Sequence, residues 1–126
     1  MRYLLVLSII LLAGCYSAPE REYLKDPKKF KTALAACPGT QPSGVSCKTL
    51  TLMHRAIVNY GTVLQSNPQA FGQRILQLQS EIEESKDKLA KASSAEKITI
   101  EERLQQQKEL LAVYMMTVRI YEQPEV

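Results

Sequence analysis

The chain reads as an all-α protein: a short, disulfide-linked helix-loop-helix unit followed by an antiparallel, coiled-coil-like helical hairpin. Three observations carry that expectation. Apolar stripes recur in alternating four- and three-residue steps over Phe71, Ile75, Leu78, Ile82, Ser85, Leu89 and Ala92, and again over Ile100, Leu104, Gln107, Leu111, Tyr114, Val118 and Tyr121. That spacing belongs to a helix face, not to a strand. Asp26-Pro27 and Asn67-Pro68 are cap-then-proline pairs, which start helices. The 126 residues include no Trp and five Gly, which disfavours a turn-rich β-sandwich. Gln, Lys, Glu, Leu and Ala dominate the second half, as in long helices. The length suits one small domain.

The N-terminal segment is not part of that fold. Arg2 precedes an apolar run to Leu12, broken only by Ser8, and Leu12-Ala13-Gly14-Cys15 closes it. The run is too short for a spanning helix of about 20 residues. It resembles a bacterial lipoprotein signal peptide ending in a lipobox, with residues 1–14 removed and Cys15 acylated. The resemblance implies three acyl chains on Cys15. At about 0.8 kcal/mol per buried methylene, that is a stable anchor. The expected address is the cell envelope, lipid-anchored and facing the periplasm. Tyr16 rather than Asp follows the cysteine, which favours the outer membrane over the inner one.

Residues 15–22 then read as a lipidated tether: polar, with Pro19 and no periodicity. Extended, residues 16–22 span about 25 Å. In the unit at 23–65, Phe30, Ala33, Leu34 and Cys37 form one stripe on a helix of about 27–36, stopped by Pro38-Gly39. Residues 38–46 are a loop with two Pro and two Gly, and Ser46 caps the next helix. That helix, about 47–64, carries Cys47, Leu50, Met53 or His54, Ile57, Tyr60 and Leu64 on one face.

Residues 66–126 form the hairpin. Ser93 with Glu96 fits a capping box, so the chain folds back near 92–94. This faces Ile82 with Leu104, Ile75 with Leu111 and Phe71 with Tyr114. The alternative is one continuous helix needing an intermolecular partner. Leu110 to Tyr121 is apolar nearly all round and asks for a second neighbour, which the 47–64 helix can supply.

With Cys15 acylated, Cys37 and Cys47 remain, and in an oxidising compartment two leftover cysteines usually pair. The short loop they close is worth about 3 kcal/mol in the chain-entropy account. Free thiols and a metal site are the alternatives. With a single distant His54 the two cysteines make a poor zinc set.

No catalytic constellation is evident, and no enzyme, cofactor, metal or small-molecule substrate is expected. His54 borders the apolar stripe, where a partly buried structural role is the expectation. Glu81, Glu83, Glu84 and Asp87 lack calcium-loop spacing and read as a solvated helix face with i,i+4 pairs. The net charge of +3 is too balanced for a nucleic-acid partner. The Lys25–Lys31 cluster is either an exposed face or a contact to anionic headgroups near the anchor.

Tyr23-Leu24, Pro27, the charged turn after it, Leu34, Cys37, a Pro/Gly-containing loop and Cys47 follow the lipobox directly. Together they resemble the EexN-type entry-exclusion lipoproteins encoded with type IV conjugation systems. Residues 66–126 lie beyond that family's typical core. The resemblance implies immunity: a cell holding a conjugative element displays the lipoprotein and blocks redundant import of that element. It would act by binding a protein of the conjugation or type IV secretion apparatus. The residues it carries over are Cys15 as anchor and Cys37 with Cys47 as disulfide. A structural lipoprotein of the secretion channel and a general envelope coiled-coil lipoprotein remain as alternatives.

Overall fold

The structure is a computed structural model and describes residues 18–39 and 45–122. Among these residues there are five helices and no strand: α1 (Ala18–Tyr23), α2 (Pro27–Ala35), α3 (Cys47–Ser66), α4 (Pro68–Lys91) and α5 (Ser94–Glu122). Three starts use the side-chain caps expected from sequence. The backbone N–H of Lys29 donates to Asp26 Oδ1, that of Thr49 to Ser46 Oγ and that of Ala70 to Asn67 Oδ1, each at 3.1 Å. Each cap satisfies a donor that the first helical turn cannot pair internally.

Asn67 breaks α3 from α4. The residue before a proline is pushed out of the helical region, and Asn67 sits at φ −149°, ψ 77°. Its own N–H still donates to the Val63 carbonyl at 2.9 Å, so the bend leaves few groups unpaired. The second break is at Ala92, whose extended backbone ends α4. The Ser93 carbonyl then accepts from Glu96 and Lys97, both at 3.1 Å, and α5 begins.

The expected hairpin is present. Phe71 and Tyr114 meet across it with ring centroids 4.7 Å apart. The polar member of each stripe finds the other: the Ser85 hydroxyl donates to Gln107 Oε1 at 2.7 Å. A polar pair inside an apolar seam holds its register, because a slip would strand both groups. Tyr114 also contacts Tyr60 of α3, with centroids 4.6 Å apart. The last turn of α5, through Ile120 and Tyr121, reaches Ile57 and Phe30. Thus α5 runs back first along α4 and then along α3, and the two preceding helices follow one another around the bend at Asn67.

The last third of α5 has the second neighbour that its all-round apolar sequence asks for. Its buried residues are Val113, Met116 and Thr117, while Leu111, Tyr114, Val118 and Tyr121 are half-buried. Here α5 has α3 on one side and the N-terminal helices on another, so two faces share the burial. The Thr117 hydroxyl donates to the Val113 carbonyl at 2.8 Å, which removes the penalty of burying it. Val113 and Met116 join Tyr23, Leu24, Phe30, Leu50, Met53 and Ile57 in one core cluster. The segments 23–65 and 66–126 therefore share a core.

Residues 18–22 are helical and docked, which differs from the extended tether expected over 15–22. Tyr23 and Leu24 after them are buried and hold the segment to the core. Their apolar anchors lie just past the segment, so the polar stretch itself showed no periodicity.

Candidate binding site

The disulfide organises the first half of the molecule. Cys37 follows the end of α2 and Cys47 opens α3; the two are joined, with Cα atoms 5.8 Å apart. The cap carbonyls position Cys37: its N–H donates to Leu34 at 3.1 Å, and Gly39 N–H donates to Ala36 at 2.8 Å. The link fixes how α2 leans on α3 and restricts the unfolded chain across the loop.

A pocket of about 250 Å³ opens where α2, α3 and the last turn of α5 meet. Phe30, Leu34 and Ala35 come from α2, Ile57 and Val58 from α3, and Ile120 from α5. Phe30 and Ile57 are buried and form its floor, while Val58 stays 40% exposed at its mouth. Among the described residues, the ionisable groups lining it are Lys31, His54 and Tyr121. Tyr121 reaches this position across Gly61, where a Cβ would collide with its ring. Glycine at 61 is required by that close approach.

A second cleft lies between α1 and the middle of α5, lined by Arg21, Leu24, Lys25, Gln105, Lys108 and Glu109. Glu109 is a buried carboxylate whose side chain is 8% exposed; it meets the Arg21 guanidinium at 3.7 Å and accepts from Gln105 Nε2 at 3.2 Å. Arg119 Nη1 donates to the Lys25 carbonyl at 3.0 Å. Charge and hydrogen bonding thus bind the N-terminal helix to α5, and this cleft's acidic group is taken up internally.

Burial raises the pKa of the Tyr60 phenol, the Tyr114 phenol adds to the rise, and Arg74 opposes it. Both rings lie in the Phe71–Tyr114–Tyr60 cluster at the bend.

The residues singled out by sequence are placed as follows. Cys37 and Cys47 are brought together. The signal at 1–14 and Cys15 lie outside the described residues, as do 40–44 of the loop and 123–126. His54 is exposed at the pocket, not partly buried as expected, because Met53 takes the inward position. The lysine cluster is divided: Lys25 pairs with Glu22 at 3.3 Å, Lys29 lies 5.0 Å from the Tyr23 ring centroid, and Lys31 lines the pocket. The acidic cluster is a paired outer face, with Glu81 to Arg74 at 3.2 Å, Glu83 to Lys86 at 2.9 Å and Glu84 to Lys88 at 3.2 Å.

Sequence reasoning did not find the Arg21–Glu109 pair, Gly61 or Ile120. Glu109 carried one signal, standing at i−4 from Val113 on the second face of α5, in phase with Met116. Among the described residues no group of three or more His, Cys, Asp or Glu is placed to hold a metal. None of their helices is long and apolar enough to cross a membrane. Compared with family models, curated proteins and solved structures, the chain finds no match.

Proposed function

We propose that this protein is a membrane-anchored lipoprotein acting in entry exclusion: it binds a component of an incoming conjugation apparatus and lowers repeat acquisition of the element that encodes it. The observation that carries the reading is the Leu12–Cys15 lipobox followed by Tyr23, Pro27, Cys37 and Cys47 at their spacing. Acylated at Cys15, the chain is held in the envelope, where an incoming apparatus must pass. Docking of α1 onto α5 supports an action close to the membrane, because the chain between Cys15 and Ala18 spans only about 10 Å when extended. A rigid, disulfide-linked surface suits recognition by binding, which discriminates between related partners through shape and charge.

The test is expression in recipient cells alone. Transfer of the cognate element falls and transfer of unrelated elements does not. Cys15→Ala abolishes the effect by removing the anchor. Unchanged transfer into recipients that hold the acylated protein removes the exclusion reading.

A further inference from the structure

We propose that the partner of this chain is a second copy of itself: the hairpin opens at Ala92-Ser93, α4 runs on into α5 as one helix, and two chains exchange their α5 helices. The proposal is independent of the exclusion reading.

The two bends of the molecule differ in how firmly they are written. Between α3 and α4, Pro68 forces Asn67 out of the helical region, and the Asn67 side chain caps α4. Between α4 and α5 stand only Ala92 and Ser93, in the run Lys91-Ala92-Ser93-Ser94-Ala95-Glu96-Lys97. That run holds no Gly and no Pro, and among the described residues no side chain other than glycine's sits at positive φ. Ala92 leaves the helix at ψ 147°, although alanine is the best helix former. Ser93, Ser94 and Ala95 are exposed, so no packing holds the turn closed. Straightening it pairs backbone groups that two helix ends leave to water.

Exchange keeps every contact. Phe71 meets Tyr114, and the Ser85 hydroxyl meets Gln107, whether the partner helix is its own or the other copy's. Val113 and Met116 likewise complete the core of the other copy, and Ile120 and Tyr121 its pocket between α2, α3 and α5. Each base is then incomplete without the second chain. Exchange of identical elements is a low-cost route to a dimer, and a short hinge invites it. The step from Ala92 to Ile100 is eight residues, so on a straight helix the two stripes stand about 80° apart. The rod winds by that angle at its centre, where the hinge side chains are small. One helix from Pro68 to Glu122 is about 80 Å long, so the two bases and their anchors lie at opposite ends of a rod.

Val113 and Met116 must leave the core for the hairpin to open, so exchange is set during folding. Segments joined by a short link see one another at millimolar concentration, and the chain is therefore refolded at about 1 mM. The experiment uses the chain from residue 15 onward carrying Cys15→Ser, with the disulfide intact. Light scattering after size exclusion finds a dimer. When isotope-labelled and unlabelled chains are refolded together, a filtered nuclear Overhauser spectrum shows Phe71 of one chain against Tyr114 of the other. Ser94→Pro puts at the second bend what Pro68 puts at the first, and lowers the dimer fraction about tenfold. Four glycines inserted after Ser93 do the same by slackening the hinge, so the comparison does not depend on one variant folding. Ser93→Ala with Ser94→Ala raises the dimer fraction. Monomer alone after refolding at about 1 mM overturns the proposal. So does a dimer whose Phe71–Tyr114 contact stays within one chain, or one whose population ignores both hinge variants.

Discussion

The two ends of α5 live in different surroundings. Its N-terminal turns, as far as Leu104, pair with α4. Leu78, Ile82, Ser85 and Leu104 are the buried residues of that stalk, and Leu76 and Ile98 are each 66% exposed. Its second half enters a base shared with α1, α2 and α3, where Leu24, Phe30, Leu50, Met53 and Met116 are all but inaccessible. The region with the cleanest heptad pattern is thus the less buried one. A two-helix seam needs a single narrow stripe, and the sequence shows one. In the base each helix has several neighbours, so burial spreads around its circumference and the stripe blurs.

The sharpest way to break this contrast is by truncation. Removing residues 66–126 takes Val113, Met116 and Thr117 out of the shared core. A chain ending at residue 65 therefore loses cooperative thermal unfolding by circular dichroism. Removing 83–89 together with 97–103 shortens each arm of the stalk by one heptad and leaves the base intact. That variant keeps cooperative unfolding. A cooperative melt of the 65-residue truncation would refute the single core.

Point substitutions come next. Phe30→Ala costs about 3–5 kcal/mol in chemical denaturation, because the closed base cannot fill the cavity. Leu104→Ala costs about 2 kcal/mol, since solvent reaches the two-helix seam. Leu104→Asp is worse, placing an unpaired charge in that seam. Equal losses for Phe30→Ala and Leu104→Ala would erase the distinction between base and stalk.

Smaller effects test the electrostatics of each region. Arg21→Ala removes the cation beside the Glu109 carboxylate and costs about 1–2 kcal/mol, less at high salt because Arg21 is partly exposed. Glu102→Ala, on the exposed face of the stalk, changes stability by no more than about 0.5 kcal/mol. If the two variants melt alike, the N-terminal helix is not held through Glu109.

The smallest effect is at the bend. The folded pKa of Tyr60 is raised above the ordinary 10.0, so the folded state holds the phenolic proton more tightly than the unfolded one. Stability from this group is fully present below pH 10.0 and is lost as pH rises through the folded pKa. Tyr60→Phe therefore flattens the alkaline fall in stability without changing the acid side. An unchanged alkaline slope would assign the loss to other groups.

Much of this protein is determined by sequence alone. The caps at Asp26, Ser46 and Asn67, the prolines beside two of them, and the break at 92–93 set where helices begin and end, because these are local effects of backbone donors and backbone angles. The stalk register follows from its stripes. Cys37 and Cys47 announced their pairing through their number and expected compartment. Tertiary structure alone decided the rest. Residues 18–22 carry no apolar period, yet they dock because Leu24 is buried beyond them and Arg21 meets Glu109. Met53 rather than His54 faces inward because α2 and α5 close around that side of α3. The pocket draws Phe30, Ile57 and Ile120 together from positions 90 residues apart, and no local spacing encodes that meeting. A helix start depends on the few residues around it, whereas a surface between three helices exists only once the shared core has set their places.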